Sequence, residues 1–330
     1  MNDQMWGVGI LLVASLLSAA FAIPMRYSRV WKWENTWLVF CILSLIVLPW
    51  LLVAFLVTHA DELLTSLTFR EMAPALAFGF LWGIAQATFG LAIHLLGVSV
   101  ALPVVGAFTI VLGSATPALI DHPETLTGRL GVRLLLSTVL LVAGLIFYSR
   151  AARMREPQTL ESKSSRGLLL ALITGVLGGA INVGFALSKE IMRHAQSLGN
   201  TPTISTYPVW AVLLAAGFLP NAIYCLYLLR RNGSGKLFAA PHISGDFFLS
   251  LLMAMAWILA TTLYGIATTF LGTQGTSLGY FTYGSLSIFF AGALGWKAGE
   301  WKGARRGALR TFWIAMGFIL ASVGVLSFRR

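Results

Sequence analysis

The chain reads as an all-α integral membrane protein of ten transmembrane helices, arranged as two inverted five-helix repeats. Three observations predict this class. Of the 330 residues, 57% are hydrophobic and only 11% charged, against about 25% charged in soluble domains, so a single globular core could not absorb them. Apolar stretches of roughly 20 residues recur along the whole chain, each long enough to cross about 30 Å of hydrocarbon as a helix. Finally, one phrase is written twice at a constant offset of 175: Trp82, Ala85, Phe89, Gly90, Ala92, Leu96 and Gly97 match Trp257, Ala260, Tyr264, Gly265, Ala267, Leu271 and Gly272. Internal duplication in a membrane chain is a mark of secondary transporters.

The ten spans fall into five pairs. Spans 1 (5–23) and 6 (167–187) share a motif, Leu17-Ser18-Ala19-Ala20-Phe21 beside Leu177-Gly178-Gly179-Ala180-Ile181. Spans 2 (36–57) and 7 (204–229) each carry a late Leu-Pro pair, Leu48-Pro49 and Leu219-Pro220. The duplicated phrase occupies spans 3 (73–96) and 8 (246–270), followed by spans 4 (98–120) and 9 (277–296). Spans 5 (130–149) and 10 (310–328) hold Gly144 and Gly324 ahead of polar or basic exits. None of these stretches alternates strictly, which favours helices over a barrel. Five is odd, so the second copy enters the membrane from the opposite side. The expected organisation is a first repeat over 1–150, a basic cytoplasmic linker over 151–166 and a second repeat over 167–330.

Span 1 is expected to be a retained helix. Although Ala20-Phe21-Ala22 resembles a cleavage site, Met1-Asn2-Asp3-Gln4 carries no basic stretch. The net charge of +11 has a topological explanation. Loops assigned alternately to two sides place 16 Lys and Arg on one and 6 on the other, including the cluster Arg150, Arg153, Arg155, Lys163 and Arg166 on the rich side. The richer side is cytoplasmic by the positive-inside rule, which puts both termini on the opposite, outer side. Nucleic acid is not an expected partner; the lipid bilayer is. Cys41 and Cys225 fall inside spans, where cysteine behaves as a small hydrophobe. No HExxH, Gly-Lys-Ser/Thr loop, zinc-spaced cysteine pair or Gly-x-Ser-x-Gly occurs, so no enzyme, metal or cofactor is expected.

Residues that could touch a solute follow from helical geometry. At 100° per residue, Trp257, Thr261, Tyr264 and Thr268 share one stripe. The equivalent stripe in the first half is Trp82, Gln86, Phe89 and Ile93. Flat aromatic faces beside amide and hydroxyl groups suit a neutral polyol, whose C–H face stacks while its hydroxyls need partners. Asn182, Asn221, Tyr207, Trp210, Tyr280 and Tyr283 add polar or aromatic positions in spans 6, 7 and 9. Buried amides in hydrocarbon need partners, so the asparagines face protein or water. All twelve carboxylates lie outside the span interiors. A proton-coupled carrier would therefore use an acid at a helix end, of which Glu34 in its Trp-rich surroundings is the first candidate, or His94.

Several segments resemble the bacterial L-rhamnose-proton symporter family. They are Phe21-Ala22-Ile23-Pro24, Trp31-Lys32-Trp33-Glu34-Asn35-Thr36-Trp37, Leu48-Pro49-Trp50, and Trp82-Gly83-Ile84-Ala85-Gln86 running on to Leu96-Gly97-Val98-Ser99. Lys189, Pro208, Gly217, Asn221 and Glu300-Trp301 continue the likeness in the same order. The resemblance implies a ten-helix carrier of the drug/metabolite transporter superfamily that imports L-rhamnose or a similar sugar with protons. Gln86 and His94 depart from the pattern, standing where the family resembled has Asn and Arg.

Overall fold

Glycine and threonine set the limits of the two helices that carry the duplicated phrase. The computed structural model describes residues 3–121, 123, 128–155 and 165–327. Helix α5 (Phe69–Leu96) opens with a capping box, in which Thr68 accepts from the Glu71 amide and Glu71 accepts from the Thr68 amide at 2.7 Å. It stops at Gly97, with φ +72°. Helix α12 (Ser244–Leu271) stops at the repeat-related Gly272, with φ +70°. Residues with a Cβ avoid that conformation, which explains why both copies of the phrase end in glycine.

The remaining helices are α1 (Asp3–Ala20), α2 (Trp33–Cys41), α3 (Leu48–Leu56), α4 (Ala60–Ser66), α6 (Val98–Asp121), α7 (Arg129–Arg155), α8 (Ser165–Gly178), α9 (Ala180–Leu187), α10 (Lys189–Ser197), α11 (Thr206–Asn232), α13 (Tyr280–Lys297) and α14 (Arg306–Ser327). No strand occurs among the described residues. A π-helical stretch, Ile42–Val47, joins α2 to α3, so the two run on as one span, Trp33–Leu56. Among the described residues nine helical stretches are long and apolar enough to cross a membrane. One of these is the 54-residue run Ser244–Lys297, which contains Gly272 and a second π-helical stretch, Gly275–Gly279.

The short helices α4 and α10 occupy segments expected as loops. Seven to nine residues with charged ends give too weak a signal to separate them from turns. Pro103, Pro117 and Pro220 lie inside α6 and α11, which continue through them. Pro24 sits in a 3₁₀ turn, Ile23–Tyr27, after α1. Within the linker expected over 151–166, Arg153 and Arg155 belong to the end of α7 and Arg166 to α8. Residues 156–164, with Lys163, and the C-terminal residues 328–330 lie outside the described residues.

Helix α1 packs against α12 and α13, and α5 packs against α8, α9 and α11. In the same way α2 packs on α12, α6 on α8 and α13, and α7 on α14. Glycines permit the closest of these approaches. A Cβ at Gly79 or Gly83 would strike the α11 backbone at Leu213 or Gly217, and one at Gly179 would strike Gly113 of α6. One core cluster, containing Trp82, Trp210, Trp257 and Tyr264, fills the centre. A second, around Phe312 and Leu141, lies between α7 and α14. Outward-facing apolar side chains such as Phe55, 80% exposed, need lipid rather than water around them.

Candidate functional site

The two tryptophans of the duplicated phrase meet at the centre of the bundle. Trp82 of α5 and Trp257 of α12 stack with ring centroids 5.7 Å apart and planes 21° from parallel. Beside them lies a cavity of about 130 Å³ lined by Trp82, Gln86, Ile181, Trp210, Trp257, Thr261, Tyr264, Tyr280 and Tyr283. No acidic or basic side chain lines it.

Close backbone packing holds each wall. Trp82 lies against Gly217, where any larger residue would displace its ring. Trp210 stacks on Phe185 at 4.4 Å and 11°, and meets the edge of Tyr264 at 6.2 Å. The broken helix α8–α9 supplies the third wall. At the break, Gly178 and Gly179 let α6 approach at Thr109 and Gly113, and Asn182 then bonds across it. Its Nδ2 donates to the Gly113 carbonyl at 2.7 Å and to the Thr276 carbonyl at 2.6 Å, while its Oδ1 accepts from the Tyr264 hydroxyl. Three helices and the π-helical stretch after α12 are thereby joined at one fully buried amide.

The polar groups around the cavity differ in what they have left to offer. Thr261 donates to the Trp257 carbonyl at 2.9 Å and Tyr264 donates to Asn182, so each retains only acceptor capacity. Trp210 Nε1 is buried with no hydrogen-bond partner among the described residues. Gln86 is half-buried, and its amide makes no hydrogen bond to the described protein. The Gln86 amide without a protein partner, beside aromatic faces and the acceptor oxygens of Thr261 and Tyr264, forms a site for a neutral polar solute, while Trp210 Nε1 is packed at Gly265 of α12.

Of the residues singled out for solute contact, Trp82, Gln86, Trp210, Trp257, Thr261, Tyr264 and Tyr280 come together on this cavity. Asn182 stands one layer behind, holding Tyr264. Phe89 and Thr268 lie outside the lining: Thr268 donates to the Gly265 carbonyl at 2.6 Å, one turn beyond the cavity. The stripe has helical period, but the cavity is only about two turns deep. Tyr283, one turn from Tyr280, joins the lining, and Ile181 is an addition that sequence pattern gave no reason to single out. Asn221 is occupied elsewhere, accepting from Trp37 at 3.1 Å and donating to the Gly217 carbonyl at 3.0 Å.

Neither ion-linked candidate lies on the cavity. Glu34 is 4% exposed and accepts from Asn232 at 2.9 Å and from the Ser234 hydroxyl. His94 is exposed on the last turn of α5. Among the described residues no group of three or more His, Cys, Asp or Glu is placed to hold a metal ion.

A family model described as L-rhamnose-proton symport protein (RhaT) matches residues 1–327. The chain belongs to this family. Curated relatives named L-rhamnose-proton symporter cover nearly its whole length. The protein from Cronobacter sakazakii is 28% identical over 312 residues, covering 91% of this chain and 90% of the relative. The one from Enterobacter sp. is 27% identical with 89% of each chain covered, and that from Salmonella paratyphi A 26% with 92% of each. Membership of the L-rhamnose-proton symport family accords with a multi-pass helical chain in which neutral polar and aromatic groups line a central cavity.

Proposed function

We propose that this protein imports L-rhamnose or a closely related sugar together with protons, by alternating access, across the bacterial inner membrane. The observation that carries the reading is the cavity beside the stacked Trp82 and Trp257 of the two halves, with the unpaired Gln86 amide among Trp210, Tyr264, Tyr280 and Tyr283. Its volume of about 130 Å³ is below the roughly 300–1,000 Å³ of sites for drug-sized ligands, which favours a single sugar ring. A deoxy sugar brings an apolar methyl group, for which Ile181 and the tryptophan faces are suitable neighbours. Asn182 supports the lining from the next layer through Tyr264, and Phe89 and Thr268 continue the two stripes beyond it.

The repeat reading has its own support. The Ser244–Lys297 run has 54 residues, which at 1.5 Å per residue is about 80 Å of helix, more than twice the hydrocarbon thickness. Counting it as two crossings turned at Gly272 gives ten. Helix contacts also come in repeat-related pairs: α1 with α12 as α8–α9 with α5, α2 with α12 as α11 with α5, and α13 with α1 as α6 with α8. We take residues 1–150 and 167–330 as inverted halves, joined by the cytoplasmic linker 151–166, with both termini periplasmic. Glu34 remains our candidate for an ion-linked role, since it is one of two buried carboxylates among the described residues; His94 is the weaker one.

Uptake of labelled L-rhamnose by cells expressing the protein, competed with unlabelled sugars, tests the substrate. Competition by L-rhamnose and close analogues, but not by disaccharides or charged sugars, is expected. Absence of uptake of any sugar would overturn the reading.

A further inference from the structure

The offset that pairs Trp82 with Trp257 also pairs Glu71 with Asp246, and both carboxylates lie in the first turn of their helices. We propose that Asp246 and Glu71 are the latches of the two gates. Each is carried by the third helix of one repeat and fastens the segment after the first helix of the other. This inference rests on the alternating-access reading and assigns its gating residues.

Asp246 is 3% exposed and collects three consecutive backbone amides, from Arg29 at 2.9 Å, Val30 at 2.8 Å and Trp31 at 2.9 Å. Those amides belong to the segment between α1 and α2. Satisfying three N–H groups with one carboxylate fixes that segment to the start of α12, and no other described side chain offers them an acceptor. Neighbouring bonds close the same face: Trp31 Nε1 donates to the Leu237 carbonyl at 3.3 Å and Asn35 to the Ser234 carbonyl at 3.0 Å. Arg26 pairs with Glu300 further out. By the loop charges, this is the cytoplasmic side.

Glu71 faces the repeat-related segment. Its Oε1 lies 3.8 Å from His194 Nδ1 in α10, which follows α9 as the Arg29–Trp31 segment follows α1. The ring of His194 is also bonded to Ser66 at 3.0 Å, and Asn200 exchanges hydrogen bonds with Thr58 at 2.8 and 3.0 Å. This second clasp is looser. The Glu71 and His194 side chains are 28% and 26% exposed, and Glu71 spends its other oxygen on its own helix cap. A carrier fastened tightly inside and loosely outside opens more readily to the periplasm, where a sugar on its way in must first bind.

The test uses the full chain in membrane vesicles. An Ile181→Cys reporter in the cavity is labelled with a membrane-impermeant thiol reagent from either face; the two native cysteines are buried. Asp246→Ala should raise labelling from the cytoplasmic face about tenfold and lower it from the periplasmic face, as the loss of a strong charge-assisted bond would. Glu71→Ala should shift labelling the other way by a smaller factor. The double variant should return towards the parent ratio, which a misfolded protein would not do. Unchanged ratios, shifts in the same direction, or no labelling in any variant would overturn the latch assignment. Sugar uptake by the parent chain, carrying neither the reporter nor the gate substitutions and recorded in parallel vesicles, separates the two claims. Uptake with unmoved labelling removes the latches alone, whereas moved labelling without uptake of any sugar removes the substrate reading and leaves the gates.

Discussion

Gln86→Leu separates recognition from folding more cleanly than any other change at the cavity. The substitution keeps roughly the volume of the side chain and removes its amide. Gln86 has no hydrogen bond to the described protein, so the fold loses none when the amide goes. A bound sugar does lose. A neutral hydrogen bond is worth about 0.5–1.5 kcal/mol net, and leaving a solute hydroxyl unpaired in a dry site costs about 1–3 kcal/mol. At 1.4 kcal/mol per tenfold, a total of about 1–3 kcal/mol corresponds to a Kd for L-rhamnose roughly 5- to 150-fold weaker. Trp82, Trp210 and Trp257 line the same cavity, so quenching of intrinsic fluorescence on sugar addition to purified protein reads that Kd directly. Thermal unfolding of the same sample should change by no more than about 0.5 kcal/mol equivalent, as for substitutions that break no partner. A Kd within twofold of the parent, with folding intact, would refute the assignment of Gln86 to the solute.

Further outcomes are expected. Trp82→Ala and Trp257→Ala should be non-additive in thermal unfolding, with a coupling of about 0.5–1.5 kcal/mol from their stacked pair; additive effects would count against a shared wall. Gly83→Ala should destabilise by about 1–3 kcal/mol because its Cβ would meet the Gly217 backbone. Gly90→Ala, with nothing within 4 Å, should leave the unfolding temperature unchanged or slightly raised. Asn182→Ala should cost about 2–4 kcal/mol in unfolding measurements, since it strands the Tyr264 hydroxyl and two carbonyls. A reporter fused after Arg153 should signal cytoplasm and one after Asp61 the exterior; the reverse would overturn the orientation.

The sequence carried the helices and most of the cavity because both depend on periodic signals. Apolar runs of membrane length give spans, and a four-residue period puts Trp82 with Gln86 and Trp257 with Thr261. Its limits were equally physical. Phe89 and Thr268 satisfy the same period, but nothing in a single helix says where a cavity stops in depth. Ile181 is a tertiary neighbour brought in by the break at Gly179, and a lone apolar residue in an apolar span has no contrast. In sequence Asp246 has no contrast with any other helix-end acid, because its partners are backbone amides 215 to 217 residues away, and backbone groups are identical at every position. Glu34 illustrates the converse: its aromatic surroundings are real, yet Asn232 and Ser234 from the other half engage its carboxylate.

The central claim, sugar import driven by protons, is tested most directly with purified protein in liposomes under an imposed pH gradient, acidic outside. Labelled L-rhamnose and internal pH are recorded together. The account predicts accumulation above the external concentration, acidification of the lumen in step with sugar entry, and loss of both when the gradient is collapsed. Sugar that merely equilibrates, with no proton movement accompanying it, would contradict it.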